Sequence, residues 1–502
     1  MIKHPKSLHK TIASIAVVLL LAGCQSMGMG VDPSKISAVS TLPAPADREW
    51  PDQKQDVLNQ RARVELGLIR SPELEGYLNV LYSKIKKQAG FPNWQGKVYI
   101  VANSNLTAYA TAAGNIYISP SWISTAQSED EIVAILSHEF GHVYLHYHEL
   151  EKTKVTADQA ADWITLGAAI AQNTNALNGW PVADLFATGY GASRDIAVGH
   201  YGSSQELAAD KFALNLTTKM GYSYDSGVKA YLEHQATWED VNEARQKAYE
   251  DKLSESFTGL GTLASLKISQ GWKFVTSDHP KTIDRMDAVA IAADDVPPKL
   301  LGKKPVVKPF NSVRNSGAVS SMLKSFGFAM KGLENPNAID AYDNAKKSAG
   351  GANAKYAYSA IAVFKTQLAS ILNGNAANAN GLGRGLDLNI NSEPDRAWKV
   401  YVTKADFFAR MGQVPAAKTV MDQGFAYFNS AGEAWPEAIL FYGQYESWDK
   451  AKKMAATCAK EFPGLAKACK TAAITPAEKA EMDRRAQENA NRLVNKLMKK
   501  DK

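Results

Sequence analysis

The chain has 502 residues, 45% of them hydrophobic, and a formal net charge of +6. This length provides for two or three domains with large hydrophobic cores. Without the three lysines of the N-terminal segment described next, the net charge falls to +3. Such a small and dispersed surplus gives no reason to expect nucleic acid as a partner.

Residues 1–23 have the pattern of a secretion signal. Lys3, Lys6 and Lys10 precede an apolar stretch at residues 12–21, which is too short to span a bilayer. Small residues follow this stretch, as they do before a signal cleavage site.

The signal ends in Leu-Ala-Gly-Cys at residues 21–24, which resembles a bacterial lipobox. The resemblance implies cleavage before Cys24 and lipidation of that cysteine; an ordinary signal peptide with an incidental cysteine is the alternative. Gln25 follows Cys24. By resemblance to the sorting rule of bacterial lipoproteins, a residue other than aspartate at this position favours the outer membrane. We therefore expect a chain anchored by lipid and facing the periplasm of a Gram-negative bacterium, followed by a tether at 24–55.

The central motif reads HEFGH at residues 138–142, the minimal signature of zinc hydrolases. A capping box at residues 128–131 and apolar residues at helical spacing predict a helix here. Positions i and i+4 share one face, so His138 and His142 can bind one metal ion, while Glu139 points aside and can act as a base. A buried, hydrogen-bonded histidine pair in a core helix is the alternative.

A zinc site needs a third protein ligand, and two candidates are present. His148 gives the histidine spacing of metzincins, but Leu145 stands where their pattern needs a turn-forming glycine. Glu206, on a second predicted helix, would complete a site of two histidines and one glutamate. Asp210 lies one turn further on the same face and can orient a zinc-bound histidine through its free N–H. We favour Glu206.

These motifs resemble peptidase family M48, from about residue 56 to 295. The resemblance rests on HExxH at 138–142, ExxxD at 206–210, a strand segment at 108–118 and HPKTIDR at 279–285. It implies a zinc peptidase domain with one Zn²⁺ per chain and a small edge sheet. Short β-branched and aromatic runs also predict that sheet directly, and an edge strand beside the motif helix can bind an extended peptide through its main chain.

The same resemblance implies catalytic roles for two further residues. His279 would lie near the metal, where it would stabilise an oxyanion or ligate zinc when no substrate is bound. Arg285 would anchor that loop or bind a backbone carbonyl. A structural histidine and a surface arginine are the alternatives.

The remainder of the chain is predicted to be helical. Prolines and lysines at 296–335 indicate a linker, residues 336–475 indicate helical hairpins, and residues 476–502 indicate a final helix. A faint 34-residue period is typical of tetratricopeptide-like repeats, although a helical domain without repeats is equally compatible. Cys458 and Cys469 can form a disulfide in an oxidising periplasm; two buried free thiols are the alternative.

Together these features predict an α+β, mainly helical protein that is a zinc metalloendopeptidase. Metal-activated water would hydrolyse peptide bonds with Glu139 as general base. The expected partners are protein substrates, by resemblance misfolded or unassembled envelope proteins under periplasmic quality control, and the membrane through the lipid anchor. The alternative is an envelope assembly factor or adaptor whose peptidase site is latent.

Overall fold

A small sheet lies among helices in the computed structural model, which describes residues 50–145, 203–241, 282–301, 303–482 and 484–485. The predicted class, α+β and mainly helical, is confirmed. Within these ranges, no helix combines the length and the apolar character that crossing a bilayer requires.

The first described helix begins inside the segment predicted as a tether. Helix α1 (Gln53–Arg63) starts after Asp52, whose carboxylate accepts hydrogen bonds from two backbone amides of the first turn. Leu58 and Ala62 of α1 pack into the core of the C-terminal helices. The predicted signal peptide and Cys24 lie outside the described residues.

The sheet has four short strands in the order β1-β2-β4-β3, which leaves β3 at one edge. β2 and β4 are parallel, and the two outer pairings are antiparallel. The strands are β1 (Leu68–Ile69), β2 (Val98–Val101), β3 (Ala108–Ala110) and β4 (Ile116–Ile118).

The two faces of the sheet carry different side chains, because successive residues of a strand point to opposite sides. Ile116 and Ile118 face the main core, whereas Tyr117 faces a smaller cluster beneath α1. Asp56 of α1 fixes this second face, since one of its carboxylate oxygens accepts hydrogen bonds from three side chains of the β3–β4 hairpin. These are Thr111 at 2.9 Å, Asn115 at 2.7 Å and Tyr117 at 2.7 Å.

The helices around the sheet contribute most of the main core. The central one is α4, in which every residue from Glu129 to Tyr144 is buried. The helices of this part are α2 (Pro72–Gln88), α3 (Pro120–Thr125), α4 (Glu129–Leu145), α5 (Ser203–Lys219), α6 (residues 230–241, after a π-helical turn at Asp225–Lys229) and α7 (Thr282–Ala293).

The prediction of a linker at 296–335 was wrong. This segment forms α8 (Pro298–Leu301), α9 (Lys308–Arg314) and α10 (Gly317–Glu334), and their apolar side chains belong to the main core. The prolines misled the prediction because Pro298 and Pro309 lie in first turns of helices, where a missing backbone N–H costs nothing. The buried side chains are Phe310, Val319, Met322, Phe326 and Ala329.

The boundary predicted at 336 is also wrong, because Tyr358 and Ala362 belong to the main core. Beyond them, the C-terminal helices form successive hairpins with cores of their own. These helices are α11 (Ala341–Ser348), α12 (Ala357–Leu372), α13 (Arg384–Asn391), α14 (Trp398–Arg410), α15 (Val414–Phe428), α16 (Trp435–Tyr445), α17 (Trp448–Glu461) and α18 (Ala466–Ala472).

Two of these hairpins, α14 with α15 and α16 with α17, occupy the segments of the faint 34-residue period. Ala417 and Ala451, which are 34 residues apart, are both fully buried. Gly424 lies so close to Tyr401 that an added Cβ would approach the ring to 2.6 Å. The structure thus places small residues where the helices of each hairpin meet; membership of the tetratricopeptide class stays a prediction.

A disulfide and a helix cap stabilise the last described helices. A disulfide joins Cys458 of α17 to Cys469 of α18. The final helix begins at residue 476 after a reciprocal cap, in which Thr475 and Glu478 each accept a hydrogen bond from the backbone N–H of the other.

The burial of Phe310 makes the corrected boundary testable. We expect Phe310→Ala to lower the free energy of unfolding by about 3–5 kcal/mol, because a fully buried aromatic ring leaves a cavity. Urea denaturation followed by tryptophan fluorescence measures the loss. Ile339→Ala is the control, since Ile339 is fully exposed. If both substitutions lowered the free energy of unfolding by the same small amount, the original prediction of a linker at 296–335 would be correct.

Candidate metal centre

Helix α4 presents two histidines on one face, one turn apart. His138 and His142 are buried, with 2% and 1% of their surface exposed. Their Nε2 atoms are 3.0 Å apart. Helical spacing alone produces this pairing, as the sequence predicted.

Helix α5 brings a carboxylate to the same point. Oε2 of Glu206 lies 3.4 Å from Nε2 of His138, and Oε1 lies 3.5 Å from Nε2 of His142. In a tetrahedral zinc site with bonds of 2.0–2.1 Å, neighbouring ligand atoms are about 3.3 Å apart. The three donors therefore fit a zinc ion, and among the described residues they form the one cluster that could hold a metal.

The approach of α5 to α4 depends on Gly141, which lies between the two histidines. A Cβ atom at Gly141 would be 3.2 Å from the ring of Phe212 and 3.3 Å from the Cα of Ala209. The absence of a side chain thus lets the backbones of the two helices come close enough for Glu206 to reach the imidazoles.

A second layer of charged residues surrounds the three donors. Oδ1 of Asp210 lies 2.8 Å from Nδ1 of His138. Arg285 of α7 binds Asp210 through two hydrogen bonds of 2.8 Å, and its Nη1 lies 3.1 Å from Oε2 of Glu206. The hydroxyl of Tyr231 accepts a hydrogen bond of 3.2 Å from Nη2 of Arg285.

Residues 72–292 match the family model described as "Peptidase family M48". They form an M48 peptidase domain. The chain is also similar to the "Beta-barrel assembly-enhancing protease" of Yersinia pestis, with 24% identity over 168 residues. That alignment spans 33% of this chain and 34% of the relative, so it covers about a third of each protein.

The charges of the M48 centre shift the pKa values of its groups. Burial opposes ionisation of Glu206 and Asp210, but Arg285 beside them holds the pKa of Asp210 low and that of Glu206 well below its ordinary range. Burial also lowers the pKa of His138, yet Asp210 and Glu206 outweigh it and raise this pKa to about 10. Glu206 therefore carries a negative charge at neutral pH, as a carboxylate that binds a metal cation must.

Glu139 differs from the other acidic residues of the centre. It is buried on α4 beside His138 but is not one of the three clustered donors. Burial raises its pKa to about 7; the charge of His138 opposes this shift, and that of Glu206 adds to it. A carboxylate near neutrality, outside the ligand set, is suited to accept and return a proton.

The N-terminal turn of α4 is fixed by three consecutive carboxylates, which sequence analysis treated only as part of a capping box. The Ser128 hydroxyl does accept from the Glu131 N–H, but the Glu131 carboxylate accepts from the N–H of Gln127. All three carboxylates bind distant parts of the domain and so fix the axis of the motif helix. Glu129 binds the hydroxyls of Tyr77 and Tyr222, Asp130 the backbone amides of Ser223 and Val306, and Glu131 the ring of His234.

The structure brings His138, His142, Glu206 and Asp210 together with Arg285. Arg285 contacts carboxylates here and is buried, which rules out the surface alternative. His148 and His279 lie outside the described residues.

Sequence reasoning missed Tyr231 and His234 of α6. No motif marks them, and only the packing of α6 against α4 identifies them.

The close helix contact at Gly141 generates a first test of this centre. We expect Gly141→Val to lower stability by about 1–3 kcal/mol and to weaken zinc binding, because overpacking pushes α5 away from α4. Thermal melting and a zinc titration measure both effects. Gly76→Val is the matched control, because a Cβ at this glycine of α2 meets nothing within 4 Å. Unchanged zinc affinity in Gly141→Val would contradict the argument.

The choice of third ligand is tested by a second pair of variants. Glu206→Ala should weaken zinc binding by at least about 100-fold, since loss of a ligand costs more than loss of its neighbours. His148→Ala should leave zinc binding unchanged. Metal content after dialysis, measured by mass spectrometry, decides whether Glu206 or His148 is the third ligand. Loss of zinc from His148→Ala but not from Glu206→Ala would favour the metzincin-like site.

Proposed function

We propose that the protein is a zinc-dependent endopeptidase of the bacterial envelope. The observation that carries the proposal is the cluster of His138, His142 and Glu206, whose nitrogen and oxygen atoms approach one another to 3.0–3.5 Å within an M48 peptidase domain. Glu139, buried and next to one of these donors in the chain, supplies the proton-transfer group that peptide hydrolysis needs.

In this proposal His138, His142 and Glu206 hold one zinc ion. A zinc ion bound there would polarise the substrate carbonyl and lower the pKa of a water molecule toward ~7. Glu139 would take the proton of the attacking water and return it to the leaving amine. Asp210 would keep the ring of His138 in the orientation that presents Nε2 to the metal.

The edge strand supports a peptide as the substrate. In the β3–β4 ladder, Ser119 N–H donates to Thr107 and Thr111 N–H donates to Asn115. Backbone groups of an antiparallel strand alternate in direction, so those of Ala108 and Ala110 point away from β4. An extended peptide pairing with this edge would be recognised by its main chain, as an endopeptidase of broad specificity requires.

Three independent features support an envelope location. The N-terminus resembles a lipoprotein signal ending at Cys24, the disulfide between Cys458 and Cys469 suits an oxidising compartment, and the Yersinia pestis relative is a "Beta-barrel assembly-enhancing protease". We therefore propose anchoring by lipid to the outer membrane, facing the periplasm. The substrates would be misfolded or unassembled envelope proteins.

The second candidate is an assembly factor or adaptor with a latent peptidase site. It is favoured by the C-terminal hairpins α12 to α17, since stacked helical pairs offer extended binding surfaces. In that case the C-terminal helices would carry the cellular function, and hydrolysis would be dispensable.

Glu139→Gln separates the two candidates. We expect this variant to bind one zinc ion per chain and to lose peptidase activity by roughly 10²–10⁴-fold, because it keeps the ligands but not the base. Hydrolysis of an unfolded protein measures activity, and a chelator should abolish it in the wild type until zinc is restored. Glu334→Gln, a change at an exposed glutamate of α10, is the matched control.

The same variant should fail to replace the wild type in cells and should retain bound substrates for mass spectrometry. Full complementation by Glu139→Gln would instead support the adaptor.

A further inference from the structure

Tyr231, which belongs to none of the sequence motifs, is buried beside the candidate metal centre. It is 6% exposed, on α6, and its ring centroid is 5.5 Å from the ring of His138 and 5.5 Å from that of Trp122. The ring thus forms part of the wall against which one proposed zinc ligand packs.

Its hydroxyl meets the cation that organises the centre. Arg285 donates through Nε to Oδ2 of Asp210 and through Nη2 to Oδ1 of the same carboxylate, both at 2.8 Å. Nη2 also donates to the Tyr231 hydroxyl at 3.2 Å, and Nη1 lies 3.1 Å from Oε2 of Glu206. Each of the three guanidinium nitrogens therefore has a described partner.

These contacts fix the plane of the guanidinium. Nη2 carries two N–H groups, and the contacts give one of them to Asp210 and the other to Tyr231. The two hydrogen bonds to Asp210 hold two nitrogens of the guanidinium. The hydrogen bond to the Tyr231 hydroxyl adds a third contact, which fixes the orientation of the group. Nη1 is then held toward Glu206, whose two oxygens face the two imidazoles.

We propose that Tyr231 is a positioning residue of the metal centre: its hydroxyl holds Arg285 in the orientation that sets both Glu206 and, through Asp210, His138. This inference rests on the proposed function. In this role Arg285 supports the ligands, whereas the sequence led us to expect that it anchors its loop or binds a backbone carbonyl. The phenol acts through Arg285.

The test is Tyr231→Phe, which removes one oxygen and keeps the ring packed against His138 and Trp122. We expect zinc affinity, measured by competition with a chromophoric chelator, to fall roughly three- to tenfold, somewhat less than for a direct neighbour of a ligand. The value of kcat should fall by a similar factor, with KM changed less than about twofold, because ligand geometry and not substrate binding is altered.

The matched control is Tyr358→Phe. Tyr358 is also a buried tyrosine, and its hydroxyl lies 2.9 Å from that of Ser325, on helices α12 and α10 and away from the metal ligands. This variant should melt at a lower temperature yet keep wild-type zinc affinity per folded chain. A general loss of packing would instead weaken zinc binding equally in both variants, and that result would overturn the proposal.

A double-mutant cycle tests whether Tyr231 acts through Arg285. Arg285→Lys retains the charge but not the planar fork. If the phenol orients the fork, adding Tyr231→Phe to Arg285→Lys should cause no further loss of zinc affinity, whereas independent effects would multiply. Multiplying effects, or unchanged zinc affinity in Tyr231→Phe, would overturn the positioning role.

These outcomes separate the two proposals. A wild type that binds zinc but hydrolyses no protein would remove the peptidase function, while the zinc affinities would still decide the role of Tyr231. A wild type that binds no zinc would remove both.

Discussion

The ion pair between Arg285 and Asp210 is the interaction on which the candidate metal centre depends. Two carboxylates, Asp210 and Glu206, are buried beside two histidines, and the guanidinium reaches both of them. Loss of one partner of such a buried pair typically costs 3–5 kcal/mol, because the remaining charge stays desolvated. The pair therefore ties α7, which carries the arginine, to α5 and fixes the helix that supplies the third donor.

The motif helix α4 is held in place at its N-terminal turn. Glu129, Asp130 and Glu131 are buried, and each binds a group far away in the sequence, so α4 cannot slide or rotate without breaking several charge-assisted bonds. Gly141 then allows α5 to pack closely at the level of the histidines. Because these metal-binding side chains are already ordered, less free energy is lost in ordering them when a metal ion binds.

Helix α1 connects the sheet to the C-terminal helices. Asp56 on one side binds the β3–β4 hairpin, while Arg61 on the other donates to the backbone carbonyls of Arg396 and Glu393 at 2.7 and 2.8 Å. The β3–β4 hairpin and the C-terminal helices are thus both attached to the same short helix.

The sequence by itself determined the local part of this centre. His138 and His142 follow from a four-residue spacing, and the helical class follows from periodicity, because both depend on contacts within one or two turns. The ExxxD motif indicated Glu206 and Asp210 as partners through its own spacing and its resemblance to a family.

Only the tertiary structure decided what lies between distant segments. Nothing near Tyr231 in the chain indicates that its hydroxyl meets Arg285, and the prolines at 298 and 309 mark helix starts that pattern alone could not distinguish from a linker. Such contacts depend on how helices pack, and packing is set by the shape and charge of the whole core.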